Sequence, residues 1–371
     1  MTYYKTGELG EFITLKRGYD LPQQNRKNGC VPIFSSSGIS GTHDAAMVKA
    51  PGVITGRYGT IGQVFMANED FWPLNTTLYV EDFHGNNPRF IYYFLKTLEW
   101  EKFTSASAVP GINRNTVHKE VISLPDIETQ DKIASVLKTL DDKIEINQKI
   151  NDNLEQQAQA LFQELFIENA DPEWSEGTIS DLGTVVGGST PSKYKPEYYT
   201  EHGIAWITPK DLSVNKSKFI THGENDITEL GLKNSSASIM PEGTVLFSSR
   251  APIGYIAIAA GEVTTNQGFK SVIPRPAIGT PFVYYFLKNA LPTIEGMASG
   301  STFKEVSGST MKIVPAFIPD DETLARFTEF CSPIFEQQQM LERQNQSLAA
   351  LRDSLLPKLM SGEIDVSDVS I

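Results

Sequence analysis

Between residue 128 and about residue 166 the chain contains no proline and no glycine, and its apolar positions recur with a helical beat. One face reads Ile133, Leu137, Leu140, Ile144, Asn147, Asn151, Leu154, Ala158, Leu161 and Leu165, in steps that alternate between 3 and 4. That spacing is the seam of a coiled coil. It returns 194 residues later as Ile334, Gln338, Leu341, Asn345, Leu348, Arg352, Leu355 and Leu359. Five of these eight are apolar, which predicts a second helix with the same inward face. Each seam carries an asparagine at the same position, Asn151 and Asn345, and a polar residue in a seam trades stability for register. At about 1.5 Å per residue, each segment predicts a rod of roughly 60 Å. A helix inside a bundle, or one that pairs with a second copy of the chain, would show the same beat. Because the second helix must bring back the chain that the first carries away, an antiparallel intramolecular pair is the simplest expectation.

Outside these helices the apolar period shortens. Strand-like runs at 52–55, 62–67 and 77–80 are broken by Gly, Pro and Asn, and runs at 244–248, 255–260 and 269–273 match them. Each set is followed by one amphipathic helix, 88–100 and 280–291. Both helices contain the string YYFLK, at residues 92–96 and 284–288, an offset of 192. Phe90, Tyr93 and Phe94 fall at helical spacing and read as core. Gly52-Val53-Ile54 leading to Arg57 and Ile61-Gly62 is echoed by Gly243-Thr244-Val245 leading to Arg250 and Ile253-Gly254. Pro125-Asp126-Ile127-Glu128-Thr129 returns as Pro319-Asp320-Asp321-Glu322-Thr323. So long a period describes a duplicated domain.

The expected fold is α+β: two duplicated mixed α/β domains separated by a long antiparallel two-helix coiled coil, one at each end of it, with approximate two-fold symmetry. The segments are a first domain over 1–125, a long helix over 126–170, a second domain over 171–319, a second long helix over 320–360 and a tail over 361–371. Leu9-Gly10 matches Leu182-Gly183 at an offset of only 173, which makes the second domain about twenty residues longer in its first half.

The net charge of −13 argues against nucleic acid until it is located. Residues 1–125 carry 12 Lys/Arg against 11 Asp/Glu, and residues 171–319 carry 12 against 14. Segments 126–170 and 320–371 each carry 4 against 10. The acidity therefore lies on the helices, and the near-neutral domains are neither favoured nor excluded as DNA binders. No apolar run approaches the 18 or so residues of a membrane span, and no signal-peptide pattern opens the chain. The two cysteines, Cys30 and Cys331, lie in different repeats. A reducing cytoplasm and two free buried thiols are expected.

Catalytic groups do not assemble in the sequence. No GxxxxGK[ST] loop cradles a phosphate, and Gly56-x-x-Gly59-x-x-Gly62 lacks the spacing of a dinucleotide fingerprint. Five histidines form no HxxxH pair, and two cysteines cannot build a zinc site alone. Asn86-Asn87-Pro88-Arg89-Phe90 resembles the Asn-Pro-Pro-aromatic motif of an adenine methyltransferase only superficially. What recurs is polar and cationic on glycine-rich turns. Arg57 matches Arg250 across a one-residue gap, and Asn75-Thr76-Thr77 matches Asn266-Gln267-Gly268. Arginine reads guanine through O6 and N7, while asparagine and glutamine read adenine through N6 and N7. Repeated arginines that brace loops would recur equally, so both readings stand. Residues that differ between domains are the better candidates for reading sequence: Ser35, Ser36, Ser37, Tyr58, Asn113 and Arg114 in the first, and Lys193, Tyr194, Lys195, Lys210, Ser301, Thr302 and Lys304 in the second. Two other classes fit the same pattern: a coiled-coil scaffold whose domains bind protein, and a metal-dependent nuclease with a duplicated domain.

At this point the chain resembles the specificity subunit of a type I restriction–modification system, over nearly its whole length. Gly187-Gly188-Ser189-Thr190-Pro191-Ser192 followed by Ile204-Ala205-Trp206-Ile207-Thr208-Pro209-Lys210-Asp211-Leu212 is similar to the opening of a target recognition domain in that family. Residues 355–366, from Leu355-Leu356-Pro357-Lys358 to Glu363-Ile364-Asp365-Val366, resemble its usual C-terminal tail. Arg17-Gly18-Tyr19-Asp20-Leu21-Pro22 and the Gly56–Gly62 turn resemble a different variety of recognition domain. The resemblance implies that each domain grips one half of an asymmetric bipartite site on double-stranded DNA. The helix pair would set the gap between halves and dock two adenine methyltransferase subunits, offering carboxylates and Gln156, Gln157, Gln159, Gln337, Gln338 and Gln339. Restriction subunits would complete the complex. The chain itself would catalyse nothing and hold no cofactor, with S-adenosylmethionine, ATP and Mg²⁺ expected on its partners.

Overall fold

Both seams fold as long helices, Ile127–Gln163 and Asp321–Ser361, the first running on into a π-helical turn, Glu164–Glu168. Each is started by an aspartate one residue outside the helix. Asp126 Oδ1 accepts from the Thr129 N–H at 2.9 Å, and Asp320 Oδ1 from that of Thr323 at 2.8 Å. These bonds satisfy amide groups that a helix start leaves unpaired. They also hold both carboxyls below their ordinary range.

The computed structural model describes residues 4–104, 110–300 and 304–369. It forms two units, residues 1–144 with 347–371, and residues 145–346. The division passes through both long helices, because each half-helix buries its seam in the core of one unit. In the first unit Ile133, Leu137, Leu356 and Leu359 join Leu9, Ile13, Phe90 and Tyr93. In the second, Ala158, Leu165 and Ile334 join Phe162, Phe166, Phe282, Tyr285 and Phe327. Leu140, Ile144, Leu348 and Leu355 of the first unit, and Leu154 and Leu161 of the second, are half-buried, and Leu341 is buried. Within each unit the half-helices run antiparallel, with Asp141 bonded to Arg352 in one and Asn147 to Asn345 in the other.

The duplication is visible in the sheets. The first unit orders its main sheet Thr14–Arg17, Thr77–Asp82, Gly52–Gly56, Val64–Ala67, all antiparallel. The second repeats that order as Gly183–Gly187, Lys270–Pro274, Val245–Ser249, Ile253–Ala259. A smaller sheet in each contains one parallel pair, Val31–Ser35 with Trp72–Pro73 and Ile204–Ile207 with Thr264–Thr265. A two-stranded ribbon joins Tyr4–Glu8 to Val121–Pro125, and Ser175–Thr178 to Pro315–Ile318. The longer first half of the second unit adds a short strand, Phe219–Ile220, parallel to Ile253–Ala259 at the sheet edge.

The shared YYFLK lies on helices Pro88–Lys96 and Thr280–Asn289. Phe90, Tyr93 and Phe94 are core, as the spacing implies. Tyr93 also donates its hydroxyl to Asp141 Oδ2 at 2.6 Å, and Tyr285 donates to Glu155 Oε2 at 2.9 Å. Around Glu155 the second unit buries an ionic cluster. Lys218, just before the added strand, donates to Glu155 (2.7 Å), Gln338 (2.9 Å) and Tyr285 (3.1 Å), and sits 3.8 Å from the Phe335 ring centre. Lys288 adds a bond to Glu155 at 2.6 Å. Burial pushes the Glu155 carboxyl up, but Lys218 and Lys288 outweigh it and hold it at about 2.

Two expectations need correction. Gln338, read as facing a partner, is 3% exposed, because Lys218 requires its carbonyl. Of the seam asparagines, Asn345 meets Asn147 (2.8 Å), while the Asn151 backbone carbonyl accepts from Gln338 (3.2 Å). Cys331 is buried, its thiol pushed up to about 12 by that burial, but Cys30 is exposed on the loop before Val31–Ser35. No helix of the described residues is long and apolar enough to cross a membrane.

Removing the Glu155 charge strands Lys218 in the core. Glu155→Gln is therefore expected to destabilise the second unit by about 3 kcal/mol at neutral pH. The folded carboxyl lies near 2 against an ordinary 4.5, so its contribution is complete above about pH 4.5 and is lost as pH falls toward 2. Urea unfolding at pH 7 and pH 3 should show the variant and the parent converging in acid.

Candidate nucleic-acid interface

The first unit's polar residues converge on the turn after strand Gly52–Gly56. Gly56 has no room for a side chain, since a Cβ would lie 1.9 Å from the Thr60 carbonyl oxygen. Arg57 and Tyr58 both donate their N–H to the Thr76 carbonyl, at 2.8 and 3.2 Å, and the Arg57 carbonyl accepts from Ile112 at 3.0 Å. With its backbone fixed on two sides, the Arg57 side chain donates from Nε to the Ile112 carbonyl (3.3 Å) and from Nη2 to the Tyr58 hydroxyl (3.2 Å). The guanidinium lies 4.5 Å from the centre of the Tyr58 ring. That ring rests on Gly111, where a Cβ would come within 2.1 Å of it.

Lys16, Arg17, Arg57, Tyr58, Asn113 and Arg114 line one open cleft of about 550 Å³. Asn113 caps the short helix Arg114–His118, its side chain accepting from Asn115 at 3.0 Å. Lys16 is paired with Glu81 at 2.5 Å and Arg17 approaches Asp20 at 3.7 Å. Asn75 donates to Asp20. Ser35 closes its own turn, bonding Gly38 O at 2.9 Å and the Ser37 hydroxyl at 3.1 Å, and Ser36 packs against Gly56 and Gly59. The sequence reading chose Arg57, Tyr58, Asn113 and Arg114 but missed Lys16 and Arg17. Their signal was an adjacent basic pair directly before Gly18.

In the second unit Arg250 Nη1 lies 3.5 Å from Glu305, which is also 3.9 Å from Lys270. Burial lowers the Lys270 ammonium from its ordinary value. Lys270 donates to the Gln267 carbonyl at 3.3 Å and Gln267 bonds Thr190, while Asn266 accepts from the Gly268 N–H at 2.8 Å. The helix Pro209–Val214 begins against Gly268, and its Lys210 pairs with Glu224 at 2.6 Å. Lys193, Tyr194 and Lys195 stand apart on a loop where Tyr194 is 95% exposed and Lys195 lies 3.7 Å from Glu197. Lys304 is exposed, whereas Ser301 and Thr302 lie outside the described residues. Lys270 and Glu305 were not found in the sequence; Lys270 lies inside a strand and gave no signal of its own.

The backbone bonds correct the matching of the repeats. The Arg57 N–H bonds Thr76 O and the Ser249 N–H bonds Gly268 O, while Ile112 N–H bonds Arg57 O and Val306 N–H bonds Ser249 O. Ser249 therefore stands where Arg57 stands, Arg250 where Tyr58 stands, and Gln267 where Asn75 stands. The offset is 192 for these three pairs, as for YYFLK, and 194 from Ile112 to Val306; the one-residue slips came from matching like side chains rather than like backbone. Among the described residues no group of three His, Cys, Asp or Glu converges to hold a metal ion.

A family model described as the type I restriction modification DNA specificity domain matches residues 1–156 and again 172–352. The chain is 39% identical over 189 residues to the type I restriction enzyme MjaIX specificity subunit of Methanocaldococcus jannaschii, across 50% of this chain and 44% of that one. It is 27% identical over 358 residues to the HindI specificity subunit of Haemophilus influenzae, across 75% and 77% respectively. The chain thus spans less than half of the first relative and about three quarters of the second. In fold it matches the crystal structure of a type I restriction–modification S subunit from M. genitalium with a TM-score of 0.64, at 19% identity and 96% coverage of each.

The seating of Tyr58 on Gly111 has a measurable cost when disturbed. Gly111→Ala is expected to lower stability by about 1–3 kcal/mol through the forced shift of the ring. Gly261→Ala, which meets nothing within 4 Å, should change it by less than about 0.5 kcal/mol. Denaturant melts of the two variants check this.

Proposed function

The chain belongs to the type I restriction modification DNA specificity family, and on that footing we propose that each unit grips one half of an asymmetric bipartite site on double-stranded DNA. The observation that carries this reading is one backbone framework bearing different polar side chains at matched positions. Tyr58 stands opposite Arg250, Arg57 opposite Ser249, Asn113 opposite Ser307, and Arg114 opposite Gly308. Framework residues that repeat hold the fold; surface residues that differ discriminate bases. Unlike surfaces read unlike half-sites.

In this reading the paired long helices fix the gap between half-sites and dock two adenine methyltransferase subunits in the cytoplasm. Those subunits bring S-adenosylmethionine and the catalytic residues, and restriction subunits bring ATP- and Mg²⁺-dependent cleavage. This chain selects the site and catalyses nothing. Its acidic outer helix faces suit a protein partner better than a phosphate backbone.

Two results test the reading. Replacing residues 171–319 with the equivalent domain of another member should change one half-site and leave the other intact; a change in both would contradict independent units. Four residues inserted after Ile144, matched by four after Gln346, keep the seam nearly in register and lengthen each helix by roughly 6 Å. The recognised gap is expected to widen by one to a few base pairs, and an unchanged gap would rule out the helices as the ruler. Adenine methylation mapped in cells that carry the matching methyltransferase reads both outcomes.

A further inference from the structure

We propose that Arg57 is the side chain through which the first unit reads a guanine, and that Arg250 plays no such part in the second. This rests on the DNA-recognition reading above and narrows it to one residue and one base.

A guanidinium has five N–H donors in a planar fork. In Arg57, bonds to the Ile112 carbonyl and the Tyr58 hydroxyl use Nε and one Nη2 hydrogen. Nη1 and the second Nη2 hydrogen form the end-on pair, and no carboxylate among the described residues is within salt-bridge distance of them. The plane of the fork is set before any ligand arrives. Gly111 seats Tyr58, the Tyr58 ring centre lies 4.5 Å from the guanidinium, and both side chains line the cleft. A fork so oriented matches guanine O6 and N7, which lie in one plane and accept two parallel bonds. A phosphate makes no such demand, and of the other cations on the cleft Lys16 and Arg17 already have Glu81 and Asp20 beside them.

The second unit lacks this construction. Arg250 occupies the position of Tyr58 and its Nη1 faces Glu305 at 3.5 Å, with Lys270 on the same carboxylate. To reach a guanine, Arg250 would have to give up Glu305 and leave that carboxylate to Lys270 alone beside the DNA. The half-sites therefore differ in the chemistry that reads them as well as in sequence.

The test uses the complex of the full chain with its methyltransferase, and maps adenine methylation for the parent, Arg57→Lys and Arg57→Gln. Arg57→Lys keeps the charge and the stem, so assembly of the complex is read separately from base choice. The parent motif should contain a G·C pair at a fixed position in one half-site. At that pair both variants should lose preference about ten-fold or more, with the other half-site unchanged. A half-site pair of only A·T composition, or variants that weaken methylation evenly and keep every G·C preference, would overturn the assignment of Arg57 while leaving bipartite recognition intact. Absence of any bipartite motif from a stable parent complex would instead overturn the parent reading and this assignment with it.

Discussion

A buried tyrosine hydroxyl donating to a carboxylate on the first long helix is the contact on which each unit is built. Tyr93 reaches Asp141 in one, and Tyr285 reaches Glu155 in the other. Both tyrosines belong to the shared YYFLK, so the same element of each domain is tied to the same helix. Each carboxylate is then balanced by a cation, Arg352 for Asp141 and Lys218 with Lys288 for Glu155. A buried carboxylate without these partners would cost far more than the bonds return. The geometry thus admits one register of each half-helix against its domain, which a purely apolar seam would leave free to slide by a turn.

The sequence made the architecture legible wherever a periodic pattern was long. The seams, the YYFLK helices and the paired aspartates before the long helices all follow from spacing or repetition. Polar interior contacts were not legible, because they join residues far apart in the chain. Asn147 was visible in the seam, yet its pairing with Asn345 depends on the relative stagger of the half-helices. Gln338 fell both in the seam and in a glutamine run read as a partner surface, and the buried Lys218 that decides between them lies some 120 positions away. Lys218 itself sits just before the strand added to the second unit, for which the first unit offers no counterpart to compare.

The candidate site was legible in composition and misleading in detail. Arg57 and Arg250 look like repeats of one residue, yet one is braced on Tyr58 and faces a cleft while the other is neutralised by Glu305. Matching side chains in a sequence rewards chemical likeness; matching backbone bonds rewards position. In a protein whose framework is duplicated and whose polar turns have diverged, only the second comparison separates what is shared from what differs.

The most direct measurement is the methylation pattern of DNA in cells that express this chain with its methyltransferase and no restriction subunit. Two unlike domains on one framework predict a single interrupted motif with two different halves and a fixed gap. A motif whose halves are identical, or no methylated motif from a complex that assembles stably, would contradict the account.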